Sequence, residues 1–271
     1  MTIIKEPLSS ADDIVSYIKE ISEDYVDYHV IGLDKLYAAE KNHFWFICRR
    51  ELILDTFSRY VFPESRILEV GAGTGYVARG FMERGYKVAI GEIHLSGLYY
   101  AKKYGVSECY QFDLFDPPFE NEFDAIGMFD VLEHLEDDVF ALQQVTKMLK
   151  PGGKLFITVP AHKWLWNRDD RIAAHKRRYS KKALIQIIKQ SDMRVIEARF
   201  FFITILPLLF LRHLFKKDNG ETVTEKEMNA DIFIDPNINY LLLILTRLEN
   251  YLLRWLPNFA GGSLLCVAEK K

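Results

Sequence analysis

Three glycines at alternate positions, Gly71, Gly73 and Gly75, follow an apolar run from Arg66 to Val70 that carries the acid Glu69 next to its end. A backbone without Cβ atoms can turn sharply and let a ligand lie against bare main chain, so the spacing points to close ligand contact. Farther along, Glu92 closes a second apolar run, Tyr86 to Gly91. An acid at such a strand end can accept hydrogen bonds from both hydroxyls of a ribose. Three histidines, His134, His162 and His175, are candidate bases, because imidazole changes charge near neutral pH. Together these residue types suit a nucleoside-bearing ligand held beside a group that must give up a proton.

The elements that position them can be read from the same stretches. Arg66 to Val70 predicts a strand, the glycines a tight turn, and Tyr76 to Arg84 a helix stopped by Gly85. A dinucleotide turn would read G-x-G-x-x-G, whereas this one reads G-x-G-x-G, so a nicotinamide-dependent oxidoreductase fits poorly.

Glu69-Val70-Gly71-Ala72-Gly73-Thr74-Gly75 resembles the first motif of the class I S-adenosylmethionine-dependent methyltransferases. Three further stretches carry the resemblance in order: Glu92 after strand two, Asp130-Val131-Leu132-Glu133-His134-Leu135 after a buried strand from Phe123 to Phe129, and Lys150-Pro151-Gly152-Gly153 before a strand from Leu155 to Val159. The match spans Arg66 to Pro160. It implies a Rossmann-like α/β fold with a seven-stranded, mostly parallel sheet and an antiparallel last strand. It also implies S-adenosylmethionine as co-substrate, held by Glu69, Gly71, Gly73, Gly75, Glu92, Asp113 and Asp130. Within it, Asp113 takes the adenine amino group and Asp130 edges the methyl donor. His134 is placed to face the acceptor or to pack the following helix. The stretch from Asp130 to His134 also resembles the metal-binding stretch of some quinone O-methyltransferases, although no metal is expected here.

Before the core, Ala11 to Tyr28 has apolar residues at helical spacing with Ser10 as N-cap, and Trp45 to Tyr60 predicts a second helix behind an aromatic cluster. Residues 1–62 are therefore read as a helical extension, either a lid or a packing layer. The core covers 63–200. Between strand five and the next helix, residues 161–180 gather Trp164, Trp166, His162, His175, acids and several arginines, a set that can close a polar acceptor pocket or form a solvated basic loop. Residues 201–262 are an apolar helical insertion with a mobile polar loop, and 263–271 supply the last strand. The insertion can dock on the sheet, form a homodimer interface, or lie peripherally on a membrane through 201–256.

Lys plus Arg number 35 against 38 Asp plus Glu, which gives no general attraction to phosphate backbones, so no nucleic-acid partner is expected. Cys48, Cys109 and Cys266 lack metal-ligand spacing and suit a reducing compartment. With no secretory pattern at Met1 to Pro7, a cytoplasmic location is expected. The reading is a methyltransferase acting on an oxygen or nitrogen of a small-molecule, sugar or lipid-linked glycan acceptor. A non-catalytic scaffold of the same fold is the rival.

Overall fold

The computed structural model describes residues 3–19, 30–224, 227, 232, 234–253, 255–256 and 258–271. Its strands are β1 (Ser9–Ala11), β2 (Ile14–Ser16), β3 (Arg66–Val70), β4 (Lys87–Glu92), β5 (Glu108–Gln111), β6 (Phe123–Phe129), β7 (Leu149–Pro160), β8 (Met193–Phe201) and β9 (Ser263–Lys270). They form one sheet in the order β1-β2-β5-β4-β3-β6-β7-β9-β8. From β2 to β7 the neighbours run parallel, while β9 is antiparallel to both β7 and β8. The seven expected strands are β3 to β9, and the additional hairpin makes nine.

That hairpin corrects the helix expected from Ala11. Asp12 and Asp13 read as acids of a first helical turn, but both stand at positive φ (51° and 58°) and form the two-residue link between Ala11 and Ile14, which pair directly. Such a link needs two left-handed residues, which Asp tolerates better than most. β2 then extends the sheet beside β5, where the Ser16 hydroxyl donates to Gln111 Oε1 at 2.8 Å. The rest of the expected helix, residues 20–28, lies outside the described residues.

The helices are α1 (Val30–Ala39), α2 (Phe44–Phe57), α3 (Tyr76–Glu83), α4 (Leu95–Lys103), α5 (Asp138–Met148), α6 (Arg168–Ile172), α7 (Lys181–Gln190), α8 (Leu206–Phe215) and α9 (Pro236–Leu252). His43 starts α2 as its N-cap, with Nδ1 accepting from the Trp45 amide at 3.2 Å. One face of the sheet packs under α2, α3 and α4, and the other under α5 and α7. Phe57, Phe81 and Phe156 join α2, α3 and β7 with ring centroids 4.3 and 4.5 Å from Phe57. Each of these buried rings contributes about 1.5–3 kcal/mol.

The insertion reaches the core through polar contacts. On α9, Asn239 accepts from the Phe44 amide and Asn250 donates to the Cys48 carbonyl, both at 2.9 Å. Glu249 is buried and accepts from the Ile203 and Thr204 amides, 2.9 and 2.8 Å away, just ahead of α8.

Candidate active site

The carboxyl ends of β3, β4, β6 and β7 open on one cavity of about 370 Å³. Its walls come from two sources. The glycine turn, Glu69, Glu92 and Asp130 belong to strand ends, while Trp45, Phe46 and Arg49 come from α2, His175 and Arg178 from the segment after α6, and Leu209 from α8. Ligands bind at this edge of open α/β sheets.

On the strand-end side, Gly71, Gly73 and Gly75 all have positive φ, between 53° and 78°. A Cβ on Gly71 would meet Val131 at 2.6 Å, and one on Gly75 would meet Ala101 at 2.7 Å. Glu92 holds the turn in place: its Oε2 accepts from the Gly73 amide at 2.8 Å and its Oε1 from the Ile93 amide at 2.9 Å. Glu69 is buried, and its Oε2 has no hydrogen-bond partner among the described residues. Burial pushes its carboxyl up to about 8, against the pull of Arg49. A buried orphan oxygen beside a bare glycine turn suits a ligand bearing positive charge and hydroxyls.

Asp113 is placed differently. It follows β5 and its Oδ1 accepts from the Phe115 amide at 2.8 Å, a turn contact, and it does not line the cavity. Asp130 does line it, in a left-handed conformation (φ 57°) at the end of β6. Thr158 donates to its Oδ1 at 3.0 Å, and the Arg49 guanidinium grips its Oδ2.

The three histidines separate. His134, in the short turn Leu132–His134, and His175 both line the cavity with ring centroids 4.8 Å apart. His162 does not line it. Its ring stacks on Phe200 at 4.9 Å, and burial, with Arg178 nearby, pushes its pKa down. Beside His134 and His175 lies Glu133, 0% exposed, its Oε1 3.9 Å from His175 Nε2 and neither carboxylate oxygen hydrogen-bonded among the described residues. Burial pushes it up to about 8. One ligating atom from each of Glu133, His134 and His175 falls within 4.8 Å of the others, the one such group among the described residues. His175 is aimed by Asp170, whose Oδ1 lies 2.9 Å from its Nδ1, and Arg178 donates to the same oxygen at 2.7 Å. The Lys176 amide, donating to the Glu133 carbonyl at 2.8 Å, joins the two segments.

Three contributors have no role in the sequence reading. Arg49 sits among Glu40, Glu69, Asp130 and Glu133, its charge opposing a cluster of buried acids. Glu40, buried at the end of α1, accepts from the Thr74 and Tyr104 hydroxyls, each at 2.6 Å, and so ties α1 to the glycine turn. Gly97 lets α4 approach that turn, since a Cβ there would stand 2.4 Å from the Gly73 carbonyl. A signal for Arg49 existed: an arginine in an otherwise aromatic helix start must find a buried acid.

A family model described as a methyltransferase domain matches residues 41–198, from just ahead of α2 into β8. The chain belongs to this methyltransferase family. The fold is that of the class I S-adenosylmethionine-dependent enzymes. Among curated relatives, the ubiquinone biosynthesis O-methyltransferase of Xanthomonas oryzae is 27% identical over 148 residues, covering 49% of this chain and 62% of the relative. The chain thus spans about three fifths of the length of the Xanthomonas relatives it matches, and less than half of others. Among solved structures, phosphoethanolamine N-methyltransferase 2 of Haemonchus contortus, in complex with S-adenosyl-L-methionine, superposes with a TM-score of 0.58 at 19% identity over 91% of this chain and 58% of that one. A methyltransferase in complex with the Haloferax volcanii Trm112 activator gives 0.57 at 16% identity over 88% and 96%. Both likenesses concern the fold.

Proposed function

We propose that this chain transfers the methyl group of S-adenosylmethionine to a hydroxyl oxygen of a small acceptor with an apolar body. The observation that carries the reading is that the Glu133, His134 and His175 cluster stands on the wall of the same cavity as the glycine turn. The co-substrate supplies an electrophilic methyl group on a sulfonium. On this reading Gly71, Gly73 and Gly75 give it a bare surface, Glu92 takes its ribose, and Glu69 and Asp130 face its positive charge. His134 or His175 receives the hydroxyl proton, with Asp170 fixing the His175 ring. Trp45, Phe46 and Leu209 give the acceptor its apolar wall. In-line displacement needs little beyond alignment and proton removal, so positioning supplies most of the rate. The relatives named as O-methyltransferases support oxygen over nitrogen. The apolar wall supports a phenolic or lipid-linked acceptor over a free sugar. Asp113, bonded into its own turn, and His162, packed on Phe200, receive no part.

Calorimetric titration with S-adenosylmethionine, S-adenosylhomocysteine and NAD tests the donor site: the two sulfur nucleosides bind and NAD does not. Transfer of labelled methyl to simple phenols, sugar nucleotides and lipid-linked sugars, with and without chelator and added magnesium, then tests the acceptor. Donor binding without methylation of any hydroxyl would return the protein to the scaffold reading. Turnover abolished by chelator would assign the histidine cluster to a cation.

A further inference from the structure

α9 is amphipathic the wrong way round for a helix that only packs on a core. The residues it turns inward mix polar and apolar side chains: Asn239, Leu242, Leu243, Thr246, Glu249 and Asn250. The residues it turns outward are Leu241, Ile244, Leu245, Leu248 and Tyr251, each 40% exposed or more. α8 behaves similarly. It has no buried residue, and Leu208, Leu211 and Phe215 are exposed, the last by 84%. Monomeric proteins rarely leave so much contiguous apolar helix surface to water. Among the described residues no helix is long and apolar enough to cross a membrane, which leaves an interfacial role for these two.

We infer that α8 and α9 seat the protein on the surface of an anionic lipid bilayer. Charge favours lipid over a second copy of the chain. Residues 206–217 hold Arg212, Lys216 and Lys217 without an acid, and the one acid within α9, Glu249, is buried. The insertion's other acids fall in the segment 218–235 between the helices. Asp169 pairs with Arg212 and Lys216, so one carboxylate answers two cations and positive charge remains at the end of α8. Beside it Trp164 is 47% exposed and stands edge-on to Phe210 at 6.0 Å, an aromatic of the kind that settles at headgroup depth. The insertion also reaches the cavity, since Leu209 and Ile232 line it. The inference rests on the outward helix faces and holds whichever acceptor is methylated.

The test is flotation of the full chain with vesicles of phosphatidylcholine and phosphatidylglycerol in equal parts, and with phosphatidylcholine alone, alongside light scattering for mass. The wild type floats with the mixed vesicles, less so with the neutral ones, and less again in high salt. The I244E/L248E double variant, altered only at outward positions, loses more than about tenfold in partitioning. It keeps its affinity for S-adenosylhomocysteine, which shows that it is folded and separates this outcome from any failure of the donor site. Absence of wild-type flotation with either vesicle overturns the inference. So does a dimer in solution that the same double variant dissociates while flotation is unchanged.

Discussion

The two walls of the cavity are built by different means. The wall proposed for the donor is main chain: a strand end, three left-handed glycines and a carboxylate that holds backbone amides. The wall proposed for the acceptor is side chain, with Arg49, Glu133, His134, His175 and Arg178 arriving from three separate segments. Backbone geometry leaves a local mark on the sequence, because a left-handed position where a Cβ would also collide, as at Gly71 and Gly75, needs glycine. A constellation of side chains leaves no such mark, because its members meet only after the sheet has formed. One wall should therefore tolerate almost no change of residue type and govern affinity, while the other should govern turnover.

The largest break in that division is expected from Gly71→Val on the donor wall, where the left-handed backbone and the 2.6 Å approach to Val131 both oppose a β-branched residue. S-adenosylhomocysteine affinity should fall by more than about a hundredfold in calorimetry. Next comes Arg49→Met, which leaves Asp130 and its acidic neighbours uncompensated at the seam between the walls. It should cost about 3 kcal/mol in denaturant unfolding and weaken the donor as well. Glu133→Gln acts on the acceptor wall alone: kcat drops by about ten- to a hundredfold while donor affinity stays within about twofold. If affinity moved as much as kcat, the two walls would not be separable.

A smaller effect sharpens the picture through pH. Glu69 and Glu133 are both pushed by burial from 4.5 up to about 8, so the folded state holds these protons more tightly than the unfolded one. Their contribution to stability is full below about pH 4.5 and is lost as pH rises toward 8, at up to about 1.4 kcal/mol per pH unit for each group. Glu69→Gln should halve that slope in thermal or denaturant unfolding at a series of pH values. The smallest effect is expected from His162→Phe, which retains the stacking on Phe200 outside the cavity and should change kcat by less than about twofold. A large loss there would reinstate His162 as a candidate base.

The same contrast explains what could be read in advance. The strand, turn and helix around Gly73 were legible because hydrophobic period and glycine spacing are local, and β3 begins and ends where its apolar run does. The N-terminal hairpin was not, because Asp12 and Asp13 serve a helix start and a left-handed turn equally well until β5 offers an edge for β2 to join. On the acceptor side His175 and His162 look alike in sequence. Only the Asp170 contact and the amide of Lys176 on Glu133 bring the first to the cavity, across about 40 residues of chain. In α9 the apolar period was visible, but the side it faces was set by Asn239, Glu249 and Asn250, polar residues whose partners lie far away in α2 and before α8.

The placement of β9 between β7 and β8 bears on how the protein is made. During synthesis β8 emerges about sixty residues before β9, the one strand it pairs with among the described residues, so β8 lacks that partner until residues 263–270 leave the ribosome. Through that interval α8 and α9, both rich in outward leucines, are already in solution beside an open sheet edge, the combination most prone to association in a nascent chain. Early capture of those helices by a lipid surface or a chaperone would shield the nascent chain until β9 closes the sheet.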